Sequence, residues 1–181
     1  MLTSSQEKWI NHLSDVDRIN IVPFDFSANE KFEKIREKVK NILGDKIIVE
    51  HCGATSLGIS GQDEIDVYIP TSPINFDLFA NKLKTIFGNP RSIYPLERIR
   101  FTTKEEEKRV DIFLINKESD SWKNGVKFEN YLKLHLDDLK KYEKLKEDGN
   151  GLSVREYYRK KTEFINDILL KEIDGSSGNL Q

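Results

Sequence analysis

One stretch of the chain, from Ile47 to Ile69, constrains the fold more than any other. It contains a β-branched segment, a turn rich in glycine and small residues, and a second apolar segment. In that second segment apolar and polar residues alternate strictly, which is typical of a strand with one face on a core. Glu64, Asp66 and Tyr68 occupy the polar positions. The pattern therefore predicts a strand, a tight turn, and a strand whose carboxylates share one face.

The remaining predicted elements surround this unit in an order that limits the fold class. They are helices at 4–14 and 28–43, strands at 46–51 and 64–69, a helix at 76–87, hairpin strands at 97–103 and 108–115 joined by a polar connection at 104–107, and helices at 126–135, at 137–146 and from Ser153. Pro70 is expected to end the second strand, because proline cannot donate to a strand ladder. This order predicts an α+β fold, a small mixed or antiparallel sheet with helices on one face and a helical C-terminal part.

Length and composition set the domain organisation and exclude several classes. With 181 residues, we expect a single domain over 1–173, with its core at about 19–116 and a helical part at about 122–173. A Gly/Ser-rich flexible tail is expected at 174–181. The formal net charge of −2 and the lack of a long apolar run argue against bulk nucleic-acid binding and against a membrane. One cysteine fits a reducing compartment, and we expect a cytoplasmic protein.

Three carboxylates lie on the polar faces of two predicted strands. Glu64 and Asp66 point the same way, and Asp111 joins them if its strand pairs with theirs in the matching register. Two like charges ~4 Å apart repel by roughly 4 kcal/mol at an effective dielectric of about 20, so such a cluster retains a proton or binds a cation. Oxygen ligands select a hard ion, which predicts Mg²⁺ or Mn²⁺. The alternative is a row of solvated side chains on an edge strand.

The turn that precedes the acidic strand supplies small residues and hydroxyl groups. Gly53, Ala54, Thr55 and Ser56 form its first part. Glycine lets backbone amides approach phosphate oxygens closely, and hydroxyl groups add donors. We therefore predict that these four residues bind the phosphates of a nucleoside triphosphate. Ordinary loop glycines are the alternative.

At these residues the chain resembles the nucleotidyltransferase superfamily, which has the polymerase-beta-like fold. The superfamily pattern is a hydrophobic strand, a glycine followed by a small residue, a short spacer, and an acid-hydrophobic-acid triplet. Here Gly53-Ala54 is followed by Glu64-Ile65-Asp66, and Asp111 corresponds to the third acid. The resemblance implies that Glu64, Asp66 and Asp111 are catalytic residues and metal ligands.

A closer resemblance, to the GrpB-like proteins of that superfamily, covers about Ile19 to Ile173. The matching segments are Ile21–Asp25, Val49–Ser56, Phe128–His135, Tyr142–Lys146 and Tyr157–Ile165. The chain departs from the family pattern by having Ala54 where the family usually has serine and Tyr68 where many members have a second acid. The family's usual His-Leu-His is here Asp111-Ile112-Phe113. The resemblance implies a chemistry class and no particular acceptor.

Two basic residues are further candidates for contact with the nucleotide. Arg109 shares a strand face with Asp111, and could either neutralise phosphate or pair with Asp66 or Asp111. Lys161 lies on the last predicted helix on the same side as Tyr157, at a position that matches a basic residue of the family. A solvated lysine is the alternative for Lys161. His51, next to the turn, is interpreted as a structural histidine.

Three hypotheses about function follow. The first is a metal-dependent nucleotidyltransferase that moves a nucleoside monophosphate from a nucleoside triphosphate to a hydroxyl acceptor. The second is a non-catalytic nucleotide-binding or regulatory module on the same fold, which Ala54 and Tyr68 motivate. The third is a protein-interaction domain that binds neither nucleotide nor metal.

Overall fold

The computed structural model describes residues 1–177, with the surroundings of individual side chains as far as Lys171. Within this part of the chain the backbone divides into two compact units. The sheet unit comprises Phe24–Ile59 and Asp63–Gly125, and the helical unit comprises Met1–Pro23, Ser60–Gln62 and the chain from Val126 onward. The α+β fold class is confirmed. The single-domain organisation stays a prediction.

Seven helices and five strands are found within residues 1–177. In chain order they are α1 (Ser4–Asn11), α2 (Ala28–Leu43), β1 (Glu50–Cys52), α3 (Gly53–Ser56), β2 (Glu64–Thr71), α4 (Pro73–Phe87), β3 (Ser92–Tyr94), β4 (Arg98–Glu105), β5 (Lys108–Asn116), α5 (Asp120–Leu134), α6 (Leu136–Asp148) and α7 (Val154–Ser177). None of the described helices is long and apolar enough to cross a membrane.

The five strands form one mixed sheet in the order β1-β2-β5-β4-β3. The β2 and β5 strands are parallel, and every other neighbouring pair is antiparallel. The β5 strand is central, and its residues from Val110 to Ile115 are all buried, on both faces of the sheet. This burial explains why β5 is almost continuously apolar, as central strands are.

Helices α2 and α4 cover one face of the sheet, as the sequence predicted. Their apolar sides and the apolar positions of β2, β4 and β5 form one core cluster. Its larger members are Phe32, Ile35, Val39, Ile65, Val67, Ile69, Phe76, Phe79, Leu83, Phe101, Ile112 and Leu114. Each such side chain contributes roughly 1.5–3 kcal/mol when it is fully buried. This packing fixes which face of β2 and β5 carries their polar residues.

Pro70 bears on two differences between the predicted and observed bounds of the strands next to the acidic residues. The predicted end of β2 at this proline was wrong, because β2 continues to Thr71 and Pro70 pairs with Ile115 of β5. The predicted strand at 46–51 was too long, because β1 pairs with β2 only as far as Tyr68. A proline has no N–H for a further ladder bond. Pro70 therefore limits the pairing of β2 with β1, which begins at Glu50 opposite Tyr68, and does not interrupt the pairing of β2 with β5.

The β4–β5 hairpin is tighter than the sequence indicated. Strand β4 runs two residues further than predicted, β5 begins at Lys108 as predicted, and Glu106 and Glu107 alone form the turn, with φ of 48° and 64°. Two successive positive φ values are typical of the turn type that suits the twist of a hairpin. Lys34 and Lys38 of α2 form ion pairs with Glu106 and Glu105. The short strand β3 at the sheet edge was not predicted.

The helical unit contains α1, α6, α7 and the end of α5, and an aromatic cluster forms its core. The ring of Tyr142 lies 5.2 Å from that of Phe128 and 5.4 Å from that of Phe164. Ser153 caps α7 by accepting a hydrogen bond from the Glu156 amide at 3.1 Å, as serine commonly does at a helix N-terminus. Helix α7 extends through residues 174–177 of the predicted tail, and residues 178–181 lie outside the described residues.

Candidate functional site

The parallel register of β2 and β5 brings the predicted acidic residues together. Asp66 pairs with Asp111, and Glu64 pairs with Arg109 one pleat away. Neighbouring strands lie ~4.8 Å apart, so paired side chains on one face are direct neighbours. The condition set by the sequence, that the two strands pair in matching register, is met. We call the face that carries these residues, with Tyr68, Phe113, Arg98, Arg100 and Thr102 beside them, the polar face.

Asp111 is buried and its carboxylate is fully engaged by neighbouring side chains. It is only 2% exposed. Thr102 donates its hydroxyl to Oδ1 at 2.6 Å, and Arg109 donates from Nη2 to Oδ2 at 2.5 Å. The Nη1 of Arg100 lies 3.6 Å from Oδ2. The negative charge of Asp111 is therefore balanced inside the fold.

Arg109 joins the acidic residues of the two strands. Its guanidinium bonds Asp111 and lies 3.3 Å from a carboxylate oxygen of Glu64. Burial opposes the charged form, but the hydrogen bond to Asp111 and the charges of Glu64, Asp111 and Asp66 raise the pKa of Arg109 above its ordinary value. Of the two roles left open for Arg109, pairing with the carboxylates is the one observed. Its contact with phosphate stays a prediction.

Gly53 places the turn directly against the carboxylate of Asp66. The backbone at Gly53 has φ +79°, and a Cβ there would collide with Asp66 Oδ2 and lie 3.3 Å from its Cγ. Because Cys52 pairs with Asp66, the chain leaves β1 beside this side chain. Only glycine allows both the left-handed backbone and the close approach. The glycine of the predicted motif thus has a specific geometric reason.

The hydroxyl groups of the turn form bonds within the turn and with its neighbours. Thr55 Oγ1 lies 3.0 Å from His51 Nε2, and Ser56 donates to the Gly53 carbonyl at 3.0 Å. The His51 ring stacks on Phe32 at 4.6 Å. The four residues Gly53, Ala54, Thr55 and Ser56 form the single turn of α3. Their role in nucleotide binding stays a prediction.

The predicted site residues do not all lie in one unit. Lys161 is part of α7 in the helical unit, where its ammonium lies 5.4 Å from the ring centroid of Tyr158. Its contact with a nucleotide stays a prediction. Sequence reasoning missed Arg98, Arg100 and Thr102, which the antiparallel register of β4 sets on the same face as Asp111. Their alternation in the sequence was the signal that could have found them.

The donor set at Asp66 and Asp111 fits a particular kind of metal site. Among the described residues, no three His, Cys, Asp or Glu side chains are grouped so that they could hold a metal ion. Magnesium is usually held by one or two carboxylates together with substrate phosphates and water, and Asp66 and Asp111 supply two carboxylates on neighbouring strands. Glu64, the third predicted ligand, forms an ion pair with Arg109. Two neighbouring carboxylates match the oxygen ligands that magnesium prefers, and the binding of Mg²⁺ or Mn²⁺ here stays a prediction.

Comparisons with known proteins place the chain in a family. No curated protein sequence matches it. Its fold is similar to the crystal structure of conserved protein GrpB from Enterococcus faecalis, with a TM-score of 0.65 and 20% identity over 84% of this chain and 98% of that chain. The family model described as GrpB protein matches residues 18–171. Because this match covers most of the sequence, the chain belongs to the GrpB protein family.

Proposed function

We propose that this protein is a metal-dependent nucleotidyltransferase, which moves a nucleoside monophosphate from a nucleoside triphosphate to a hydroxyl group of an acceptor. One observation carries the proposal. The parallel register sets Asp66 beside Asp111, and Gly53 holds the backbone of the preceding turn against Asp66. Two carboxylates next to closely approaching backbone amides suit a bound triphosphate and its metal. The likeness to the nucleotidyltransferase superfamily supports the same chemistry.

Each residue has a defined part in this reaction. Asp66 and Asp111 would hold Mg²⁺ or Mn²⁺, which when bound would supply charge neutralisation at the triphosphate. The amides of Gly53 to Ser56 orient the phosphates. Arg109 turns from Asp111 to a phosphate oxygen, which keeps the positive charge in the site. Such positioning and electrostatic stabilisation account for most of the catalysis of phosphoryl transfer.

The bonds and charges of the step balance without a further reactant. The acceptor hydroxyl oxygen forms a bond to the α-phosphorus of the nucleotide. The bond from that phosphorus to the oxygen bridging to the β-phosphate breaks, and pyrophosphate leaves. The hydroxyl proton passes to a carboxylate oxygen of Glu64, whose interaction with Arg109 weakens when Arg109 engages phosphate.

Thermal unfolding with a panel of nucleoside triphosphates, with and without Mg²⁺ or Mn²⁺, tests the proposal. A ligand present at 100 times its Kd stabilises the folded state by about 2.7 kcal/mol. We expect such a shift to need both nucleotide and metal in the wild type and to vanish in Asp66→Asn. The matched control is Asp77→Asn, an exposed aspartate of α4, which retains the shift. An equal shift in Asp66→Asn, or none in the folded wild type, would contradict the proposal.

A second candidate, a non-catalytic nucleotide-binding module, is favoured by the position of Arg109. This residue already neutralises Asp111 and Glu64, so a nucleotide can bind without a metal on this reading. The module predicts a nucleotide shift that is independent of metal, and no pyrophosphate release with any acceptor. The metal dependence of the shift therefore separates the two candidates.

A further inference from the structure

Two arginines of β4 continue the polar face beyond Asp111. Thr102 pairs with Asp111, Arg100 pairs with Phe113, and Arg98 pairs with Ile115. Because alternate residues of a strand share a face, both arginine side chains lie on the same side of the sheet as Asp111. They lie on the side of β5 that is remote from β1 and the Gly53 turn, since the strand order is β1-β2-β5-β4.

The guanidinium groups of both arginines have unused donors. The Nε atom of Arg98 and that of Arg100 are buried and have no hydrogen-bond partner. In the part of the chain that the structure describes, Arg98 has no carboxylate partner, and the ion pair of Arg100 is the 3.6 Å contact with Asp111. Buried N–H groups without acceptors are rare in native folds. Both Nε atoms are covered, but both arginine side chains are partly exposed, so two guanidinium groups with unmet donor capacity lie near each other on the polar face.

Aromatic rings hold one of these cations in position. The guanidinium of Arg98 lies 5.2 Å from the ring centroid of Tyr94 and 5.7 Å from that of Phe113. Phe113 in turn stacks on Tyr68, with centroids 4.6 Å apart. Contacts with ring faces orient a guanidinium and leave its N–H groups free to donate. The arginine is thus fixed without an intramolecular acceptor.

We propose that Arg98 and Arg100 bind the phosphate group of the acceptor, so that the acceptor is a phosphomonoester with a free hydroxyl group. Two fixed positive charges match a dianionic phosphate better than a singly charged carboxylate, and arginine donors match its oxygens in pairs. This assignment rests on the proposed nucleotidyl transfer. The nucleotide occupies the Gly53 side of the carboxylates, and the acceptor occupies the β4 side.

The strand geometry limits the size of this acceptor. Arg100 and Arg98 lie two and four residues along β4 from Thr102, the partner of Asp111. At ~3.3 Å per residue, their rows lie ~7 Å and ~13 Å from the carboxylate row. The phosphate and the reacting hydroxyl of the acceptor are therefore several bonds apart, as in a small phosphorylated alcohol or sugar.

Binding of glycerol 3-phosphate and of inorganic phosphate, measured by calorimetry with and without Mg²⁺, tests the inference on the full chain. We expect glycerol 3-phosphate to bind the wild type and Asp66→Asn equally well without metal. Loss of one arginine donor pair in Arg98→Gln or Arg100→Gln weakens its binding by roughly tenfold or more. Arg91→Gln, at an exposed arginine before β3, changes the net charge equally and serves as the control.

The outcomes distinguish this inference from the proposed function. Retained nucleotide and metal binding in the Arg98→Gln and Arg100→Gln variants, with weakened glycerol 3-phosphate binding, supports the acceptor site. Loss of nucleotide binding in those variants would assign the arginines to the nucleotide and overturn the inference, while the proposed function stands. No binding of either phosphate probe to the folded wild type overturns it as well. Phosphate binding without any nucleotide binding refutes the acceptor role together with the proposed function.

Discussion

Each of the two units contains a glycine at which a side chain would collide with a neighbour, but the neighbours differ in kind. In the helical unit a Cβ at Gly149 would lie 2.5 Å from the ring of Tyr157, which is fully buried. In the sheet unit a Cβ at Gly53 would collide with the carboxylate of Asp66. The first contact packs an apolar core. The second contact places the backbone of the turn beside the charged carboxylate of Asp66 and adds no apolar packing.

The buried aspartates of the two units differ in the same way. Asp138 accepts hydrogen bonds from Tyr131 at 2.9 Å, Lys141 at 2.8 Å and Lys171 at 3.0 Å. The bonds from the two lysines, opposed by burial, hold the pKa of Asp138 well below its usual range. Asp111 also has basic partners, but the β2–β5 register places a second carboxylate, that of Asp66, beside it. In the helical unit two lysines serve one carboxylate, whereas in the sheet unit Arg109 lies among the charges of three carboxylates.

The largest effect is expected from Gly149→Ala. The backbone at Gly149 has φ −79°, so its conformation suits alanine, and the effect comes from contacts of the new methyl group with the Tyr157 ring and, at 3.0 Å, with the Lys146 carbonyl oxygen. Overpacking of a core costs roughly 1–3 kcal/mol, and we expect the upper part of that range, measured by urea unfolding. In Gly125→Ala, within α5 and with open space around the added methyl group, we expect a gain of about 0.5–1 kcal/mol. A neutral Gly149→Ala would show that the core of this unit is loosely packed.

A smaller loss of stability is expected from replacing either buried aspartate, and the loss differs between Asp138 and Asp111. We expect Asp138→Asn to lose about 2 kcal/mol in the free energy of unfolding, because its lysine partners are half-exposed and partly screened. In Asp111→Asn the loss is less than half of that, since the repulsion with Asp66 disappears and Thr102 can still donate to the amide oxygen. Equal losses would contradict the distinction between the two sites.

The free energy of unfolding is also expected to depend on Asp138 at acid pH, in a direction that its pKa defines. The pKa of Asp138 is lower in the folded state than in the unfolded state. Its contribution is therefore fully present above the unfolded pKa of about 3.9, and it is lost as the pH falls below that value. We expect the wild type to lose more stability between about pH 6 and about pH 3 than Asp138→Asn does.

A change in stability smaller than that of Asp138→Asn is expected from Gly53→Ala. Its positive φ costs alanine roughly 1 kcal/mol, and the Asp66 side chain can rotate away from the new methyl group. That rotation removes a metal ligand, so we expect the metal-dependent nucleotide shift to be lost. Gly58 has φ +71° and open space around the added methyl group, so Gly58→Ala has the same backbone cost and retains the shift. Loss of the shift in both variants would assign the effect to backbone strain.

The sequence predicted the core and the acidic row because both depend on period-2 alternation. Alternation in β2 and β5 determined which residues share a face, and the register then joined Asp66 to Asp111. Features that depend on tertiary partners were not predictable. The pairing of Arg109 with carboxylates depends partly on Glu64, which lies opposite it on the neighbouring strand. The glutamates of the β4–β5 turn have positive φ values and give no glycine or asparagine signal.

The pairing of Arg109 with Asp111 has a consequence for the order in which the sheet assembles. These residues lie two positions apart on one strand, and β5 joins β4 through a two-residue turn, so their ion pair forms within a local hairpin. Asp66 comes from a strand that is distant in sequence, and parallel pairing of this kind requires closure of a long loop before it adds any contact. When β5 meets β2, Asp111 already has a counter-charge, which reduces the repulsion from Asp66 at the moment of encounter. Arg109 thus gives Asp111 a counter-charge from within its own hairpin, so we expect β5 to pair with β2 without bringing two unscreened carboxylates together.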